Sequence, residues 1–119
     1  MSTFVKIEND DPRALQCIAE ACGGDAGGVI SDLSKDPNMM VLDSGNMTAV
    51  IRVEPGNELV IVAASGKELV NTFAEFIEWI KQNSPHIKSI RLHTQKKAIL
   101  RLWKKAGMEV NEWISRIKL

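Results

Sequence analysis

A chain of 119 residues with 45% hydrophobic and 25% charged residues fits one globular domain with its own core, and excludes a disordered tail or a two-domain protein. Fifteen basic and fifteen acidic residues cancel, but unevenly: residues 1–62 hold ten acids and four bases, a net of −6, and residues 63–119 five acids and eleven bases, a net of +6. Met1 to Asp11 is too polar for a signal peptide and no apolar run approaches the roughly 18 residues of a membrane span, so no membrane partner is expected.

Thr3 to Glu8 alternates weakly through Phe4, Val5 and Ile7 and reads as a first strand. Asp11-Pro12 is a helix start, Asp as cap and Pro in the first turn. Leu15, Ile18, Ala19 and Cys22 then share one expected helical face. Cys17 and Cys22, five apart on that helix, are poorly placed to bridge each other, so free thiols in a reducing, cytoplasmic compartment are expected. Two His and two Cys without clustered spacing predict no zinc site. Gly23 to Gly28, with four glycines, breaks the helix as a loop; Val29 to Lys35 reads as a short second helix closed by Asp36-Pro37.

Asn38–Leu42 and Met47–Val53 read as strands joined by the turn Asp43-Ser44-Gly45-Asn46, and Pro55-Gly56-Asn57 makes a second turn. Leu59 to Ala64 is a continuous apolar run, the mark of a strand buried on both faces. Ser65 with Glu68 three residues on reads as a capping box, and Leu69, Val70, Phe73, Phe76, Ile77 and Ile80 give a helical stripe to about Asn83. A strand over Lys88–Thr94, a helix over Gln95–Ala106 stopped by Gly107, and a last strand or strand pair over Met108–Leu119 complete the order. A helix between two strands at this spacing implies a right-handed crossover and a parallel pair. The expected fold is α/β, a single domain over residues 1–119. Its sheet is mixed and mostly antiparallel, with a central parallel β-α-β unit and helices on both faces.

The segment Ser89 to Val110 carries a more specific signal: a strand, Ala98-Ile99, then Leu102-Trp103-Lys104-Lys105-Ala106-Gly107-Met108. It resembles the late segment of the GNAT (GCN5-related N-acetyltransferase) superfamily, where Ala-Ile is followed by Leu-Tyr-x-x-x-Gly-Phe, and the order of elements agrees. The resemblance implies acetyl-CoA or another acyl-CoA bound where two parallel strands part, its pyrophosphate on the N-terminus of the following helix. The positions that would touch it are Ala63, Ala64, Ser65, Gly66, Lys67 and Trp103.

The chain departs from the family's pattern at both motifs. The family's loop, Gln/Arg-x-x-Gly-x-Gly/Ala, keeps one glycine here, Gly66, flanked by Ala63 and Glu68 in one register or Ile61 and Ala64 in the other. A cap made by Ser65 and Glu68 would consume the free N–H groups and set a carboxylate beside a phosphate. The family's tyrosine acid is replaced by Trp103, whose indole has no useful acid pKa, and the chain has no tyrosine. Glu54 and Glu58 are candidate bases acting through water, and His93 stands where a site opens in such a sheet; His86 reads as a loop residue. No catalytic residue is assigned.

From Lys81 to Lys105 there are eight Lys or Arg and no acid. Lys97, Arg101, Lys104 and Lys105 line the outer face of the last expected helix, a candidate surface for nucleic acid or an acidic protein. The leading expectation is therefore a GNAT-like domain with eroded motifs, more often without cofactor, that acts by binding an unidentified protein partner. Small motif-poor members of this kind resemble those of tailed bacteriophages and prophages, virion-associated proteins included, which implies the infected host cell or the virion as location. The alternatives are an acyl-CoA-dependent N-acyltransferase with an atypical pyrophosphate loop and a nucleic-acid-associated accessory protein.

Overall fold

The computed structural model describes residues 3–67, 69–93, 104, 109–111 and 114–119. Strand β1 (Val5–Ile7) leads to helix α1 (Pro12–Cys22), a 3₁₀ turn over Gly23–Asp25 and helix α2 (Ala26–Lys35). Strands β2 (Met39–Asp43), β3 (Met47–Glu54) and β4 (Glu58–Gly66) follow, then helix α3 (Leu69–Asn83), β5 (Ser89–His93), β6 (Glu109–Asn111) and β7 (Ile114–Lys118). The seven strands form one sheet in the order β1-β2-β3-β4-β5-β7-β6. The pairs are antiparallel except β4 with β5, which α3 joins in parallel as the crossover rule requires.

Each helix layer covers its own side of the sheet. Phe73, Phe76, Ile77 and Ile80 of α3 are buried against Leu42, Ala49, Ile51, Leu59, Ile61, Ile90 and Leu92. Phe4 closes this core, meeting Phe76 edge-on at 5.2 Å, while Phe73 and Phe76 stack at 6.1 Å. On the opposite face Ala14, Cys17 and Ile18 of α1 and Leu33 of α2 pack on Ile7, Met39, Val41, Val50 and Ala63. Leu102 and Trp103, expected in the core, lie outside the described residues.

The start of α1 forms as its sequence dictates. Asp11 Oδ1 accepts from the Arg13 backbone N–H at 2.9 Å, with Pro12 opening the helix. The same Arg13 donates to Asp11 through Nε and Nη2 and reaches buried Asp43 at 2.9 Å, and Asp43 also accepts from Thr48 Oγ1 at 2.7 Å. The hydrogen bonds from Arg13 hold the Asp11 carboxyl below its ordinary range. This network ties the first turn of α1 to the β2–β3 hairpin.

Three expectations need correction. The buried face of α1 is Ala14-Cys17-Ile18 with Cys22 half-buried beside it, rather than Leu15-Ile18-Ala19-Cys22; Leu15 is 37% exposed and Ala19 is exposed, because the small Ala14 and Cys17 let the helix sit close on β3 and β4. Gly27 and Gly28 lie inside α2, which starts at Ala26, so only Gly23–Asp25 interrupts the helices, and Gly23, at a positive φ of 54° that glycine tolerates, ends α1. Finally, Ser65 is not a helix cap: β4 runs on to Gly66, with Ser65 opposite Thr48 and Gly66 opposite Met47, and α3 begins at Leu69. Sheet pairing of the β4 end wins over the local capping signal; Glu68 lies outside the described residues.

Candidate functional site

The parallel pair β4–β5 is tied by side chains at its amino end. There Glu58 accepts from Ser89 Oγ at 2.6 Å and from Arg91 Nη1 at 3.0 Å, and Glu54 accepts from Arg91 at 2.8 Å and from Arg52 at 2.9 Å. This half-buried network pins β3, β4 and β5 together. Glu54 and Glu58 are therefore structural carboxylates at the amino end of the parallel strands, away from where such a sheet opens a site, and they are not placed as bases.

At the other end β4 runs on past its last described pair with β5. Pairing runs from Glu58–Ser89 to Ile61–Leu92, and beyond Ile61 no residue of β4 pairs with β5 among the described residues. β4 continues beside β3 for five more residues. Its register shifts by one: Ile61 stands opposite Ile51 and Ala63 opposite Val50, leaving Val62 as the extra residue of a bulge. Consequently Val62 and Ala63 both pack toward α1, and Ala64 returns to the α3 side. A bulge locally bends and twists its strand, and among the described residues none pairs with residues 62–66 on the β5 side.

The residues expected at a cofactor divide here. Ala63, Ala64, Ser65 and Gly66 form the carboxyl end of β4, and exposed Lys67 follows at its tip. Trp103 lies outside the described residues. Ser65, Gly66 and Lys67 also border a groove of about 530 Å³ together with Arg13, Cys17 and Asn46. Arg13 is already neutralised there by Asp11 and Asp43.

Gly66 has a reason that its loop position did not reveal. A Cβ at residue 66 would collide with the Asn46 carbonyl oxygen and come within 2.9 Å of Met47 Cα, and the Lys67 N–H donates to that same carbonyl at 3.0 Å. The glycine thus permits two backbones to meet at the sheet end. Gly66→Ala is expected to cost about 1–3 kcal/mol in urea denaturation, because backbone must shift to admit the methyl group. Gly28, in α2 with nothing within 4 Å of a Cβ, is the internal control: Gly28→Ala is expected to stabilise by up to about 1 kcal/mol. A neutral Gly66→Ala would remove the close-approach account.

Both cysteines are free. Cys17 donates to the Thr48 carbonyl at 3.4 Å, and Cys22 lies 4.0 Å from the carbonyl of the bulge residue Val62. Burial raises the pKa of both thiols, with the Asp25 carboxylate adding to the effect on Cys22. They enter the site as neutral groups, not as thiolate nucleophiles. The same contact sets the end of α1, and with it the Gly23–Asp25 turn, beside the bulge. His93 ends β5 opposite Ile114 in the sheet register, and His86 is an exposed turn residue as expected. Of the four residues proposed for polyanions, Lys104 is helical and exposed; Lys97, Arg101 and Lys105 lie outside the described residues. Among the described residues no cluster of His, Cys, Asp and Glu suits a metal ion, and no helix is long and apolar enough to cross a membrane.

No protein-family model matches the sequence, and the search of curated proteins finds no match. Solved structures do match over the whole chain. An IAA acetyltransferase from Bacillus cereus superposes with a TM-score of 0.69 at 10% identity, covering 100% of both chains. A Bacillus subtilis acetyltransferase in complex with CoA gives 0.67 at 13% identity, covering 100% of this chain and 98% of that one. Tetrahymena GCN5 gives 0.66 at 12% identity, covering 98% and 96%. The fold is that of the GNAT acetyltransferases, as the resemblance of residues 89–110 implies. At these identities the likeness shows the fold alone.

Proposed function

We propose that this chain is an acyl-CoA-dependent N-acyltransferase domain that holds its acyl donor against the carboxyl end of β4. The observation that carries this reading is that β4 runs on for five residues past its last pair with β5, Ile61–Leu92, across the bulge at Val62, and that no described residue pairs with residues 62–66 on that side. An extended pantetheine arm carries two amide groups and suits the open edge of a strand, as added peptide strands do. Ala63 and Ala64 bring no bulk to that edge, and Lys67 offers a cation at its tip for a phosphate group. With Ser65 paired into the sheet, the self-capped helix that argued against an anion at this position loses its first member. That one of the solved structures with this fold contains CoA supports the reading.

Acyl-CoA, when bound, supplies a thioester carbonyl open to attack by an amine. The chain's contribution is positioning: it orients the donor along β4 and leaves the acceptor side to the α1–α2 turn, an arrangement that by itself removes much of the entropic barrier. Neither neutral thiol offers a covalent relay. The absence of any tyrosine favours slow turnover, or binding without turnover.

Calorimetric titration with acetyl-CoA tests the site, and a thiol-release assay with small amines and peptides tests the chemistry. Binding is expected, and Lys67→Glu is expected to weaken it by about 10–100-fold through loss of a charge-assisted phosphate contact, with thermal stability unchanged because Lys67 is exposed. Titration without heat or displacement at any concentration would exclude the reading; binding without thiol release would leave a domain that acts by binding alone.

A further inference from the structure

Two large apolar side chains that the fold leaves exposed border one groove. Leu15 of α1 and Ile30 of α2, each 37% exposed, flank a cleft of about 570 Å³ whose floor is buried Ile7 and Leu33. A cleft of this size admits a few large side chains. The loop from β1 to α1 forms its rim, and Asn9 Nδ2 fixes that loop to α2 by donating to the Leu33 carbonyl at 3.3 Å. Exposed Glu8 and Asp10 stand on this rim, and among the described residues neither makes an ion pair. Lys6 also borders the groove, but it stands opposite Leu42, which packs on the α3 side, so its side chain leaves β1 on the other face of the sheet. Residues 5–36, which build the groove and its surroundings, hold seven acids against three bases, a net of −4. One of those bases, Arg13, is already paired with Asp11 and Asp43.

We propose that this groove docks a short basic, amphipathic segment of another protein, its apolar side chains over Ile7 and Leu33 and its Lys or Arg residues beside Glu8 and Asp10. Apolar burial supplies the affinity, and the unpaired carboxylates select the partner. The same charge excludes the competing occupants. Nucleic acid and anionic lipid are repelled, because their phosphates meet carboxylates in a net negative surround. A two-fold contact through the groove would bring Glu8 and Asp10 of one copy toward those of the other. β2 and β3 lie between β1 and β4 in the sheet, so the docking does not rest on the acyl-CoA reading.

Fluorescence anisotropy on the whole chain is the test, with a labelled synthetic peptide of leucine and lysine in amphipathic helical order as the probe. Binding is expected to be at least about tenfold tighter than for the same peptide with glutamate for lysine, or with serine for leucine. Leu15→Ser combined with Ile30→Ser is expected to weaken it by at least about tenfold. Glu8→Gln combined with Asp10→Asn is expected to weaken it about three- to tenfold at low salt and to flatten its salt dependence. Circular dichroism should be unchanged in both variants, since these side chains are exposed. Glu20→Gln combined with Asp25→Asn removes the same charge away from the groove and should leave peptide affinity within about twofold. A peptide held no tighter than its two controls overturns the proposal. So does an equal loss in the Glu20 and Asp25 variant, which would mean attraction by net charge alone. Self-association of the wild-type chain that the Leu15 and Ile30 variant abolishes would assign the groove to a second copy and overturn it too.

Discussion

Phe73→Ala is expected to lower the stability of the chain by about 3–5 kcal/mol in urea denaturation, the range for emptying a buried aromatic site. Phe73 has no solvent-exposed surface and stacks on Phe76, which in turn meets Phe4 edge-on. Its ring fills the space between α3 and the centre of the sheet, where Ile61 and Ile90 approach from the parallel pair. The backbone there is held by strand pairing on both sides, so the cavity has little room to collapse, which puts the cost toward the upper part of the range. Because α3 is the crossover that makes β4 and β5 parallel, this loss also loosens the site: acetyl-CoA affinity should fall with stability in the variant. A change under about 1 kcal/mol would mean that the helix face is not the one described.

Trp103→Tyr is expected to raise the rate of acyl transfer by at least about tenfold, a small part of the 10²–10⁴ that a positioned general acid contributes. This rests on the segment Leu102-Trp103-Lys104-Lys105-Ala106-Gly107, which resembles the family's Leu-Tyr-x-x-x-Gly, and on the absence of any other phenol in the chain. On the proposed acyl-transfer reading the departing thiolate takes its proton from water, and the family resemblance implies that a phenol at residue 103 would supply one. The affinity for acetyl-CoA should change little, so the gain would appear in kcat rather than KM. An unchanged rate with affinity retained would separate the residue from proton delivery, and no transfer in either form would favour the reading that the domain works by binding.

Much of the fold was legible along the chain because its signals are local. The Asp11-Pro12 start of α1, the turn Asp43-Ser44-Gly45-Asn46, of which Asp43 ends β2, the apolar run of β4, the α3 stripe and the polar-apolar alternation of β5 each lie within one element or turn. A crossover of this length permits only one hand. Phe73, Phe76, Ile77 and Ile80 are buried as their spacing predicts. The motif over residues 89–110 pointed to the fold that the solved structures show.

What tertiary structure alone decided lies at distances the chain does not display in sequence. Ser65 reads as a helix cap because its partners in the alternative, Thr48 and the strand around it, are 17 residues away. Gly66 reads as a loop glycine because the carbonyl it must clear belongs to Asn46, 20 residues back. Glu54 and Glu58 read as free turn carboxylates until β5 brings Arg91 and Ser89 to them. Leu15 reads as core because helical periodicity finds an apolar stripe but not the angle at which that stripe meets the sheet. The bulge at Val62 has no residue signature at all: an apolar run such as Leu59–Ala64 satisfies either face, so only pairing with β3 determines where the register slips.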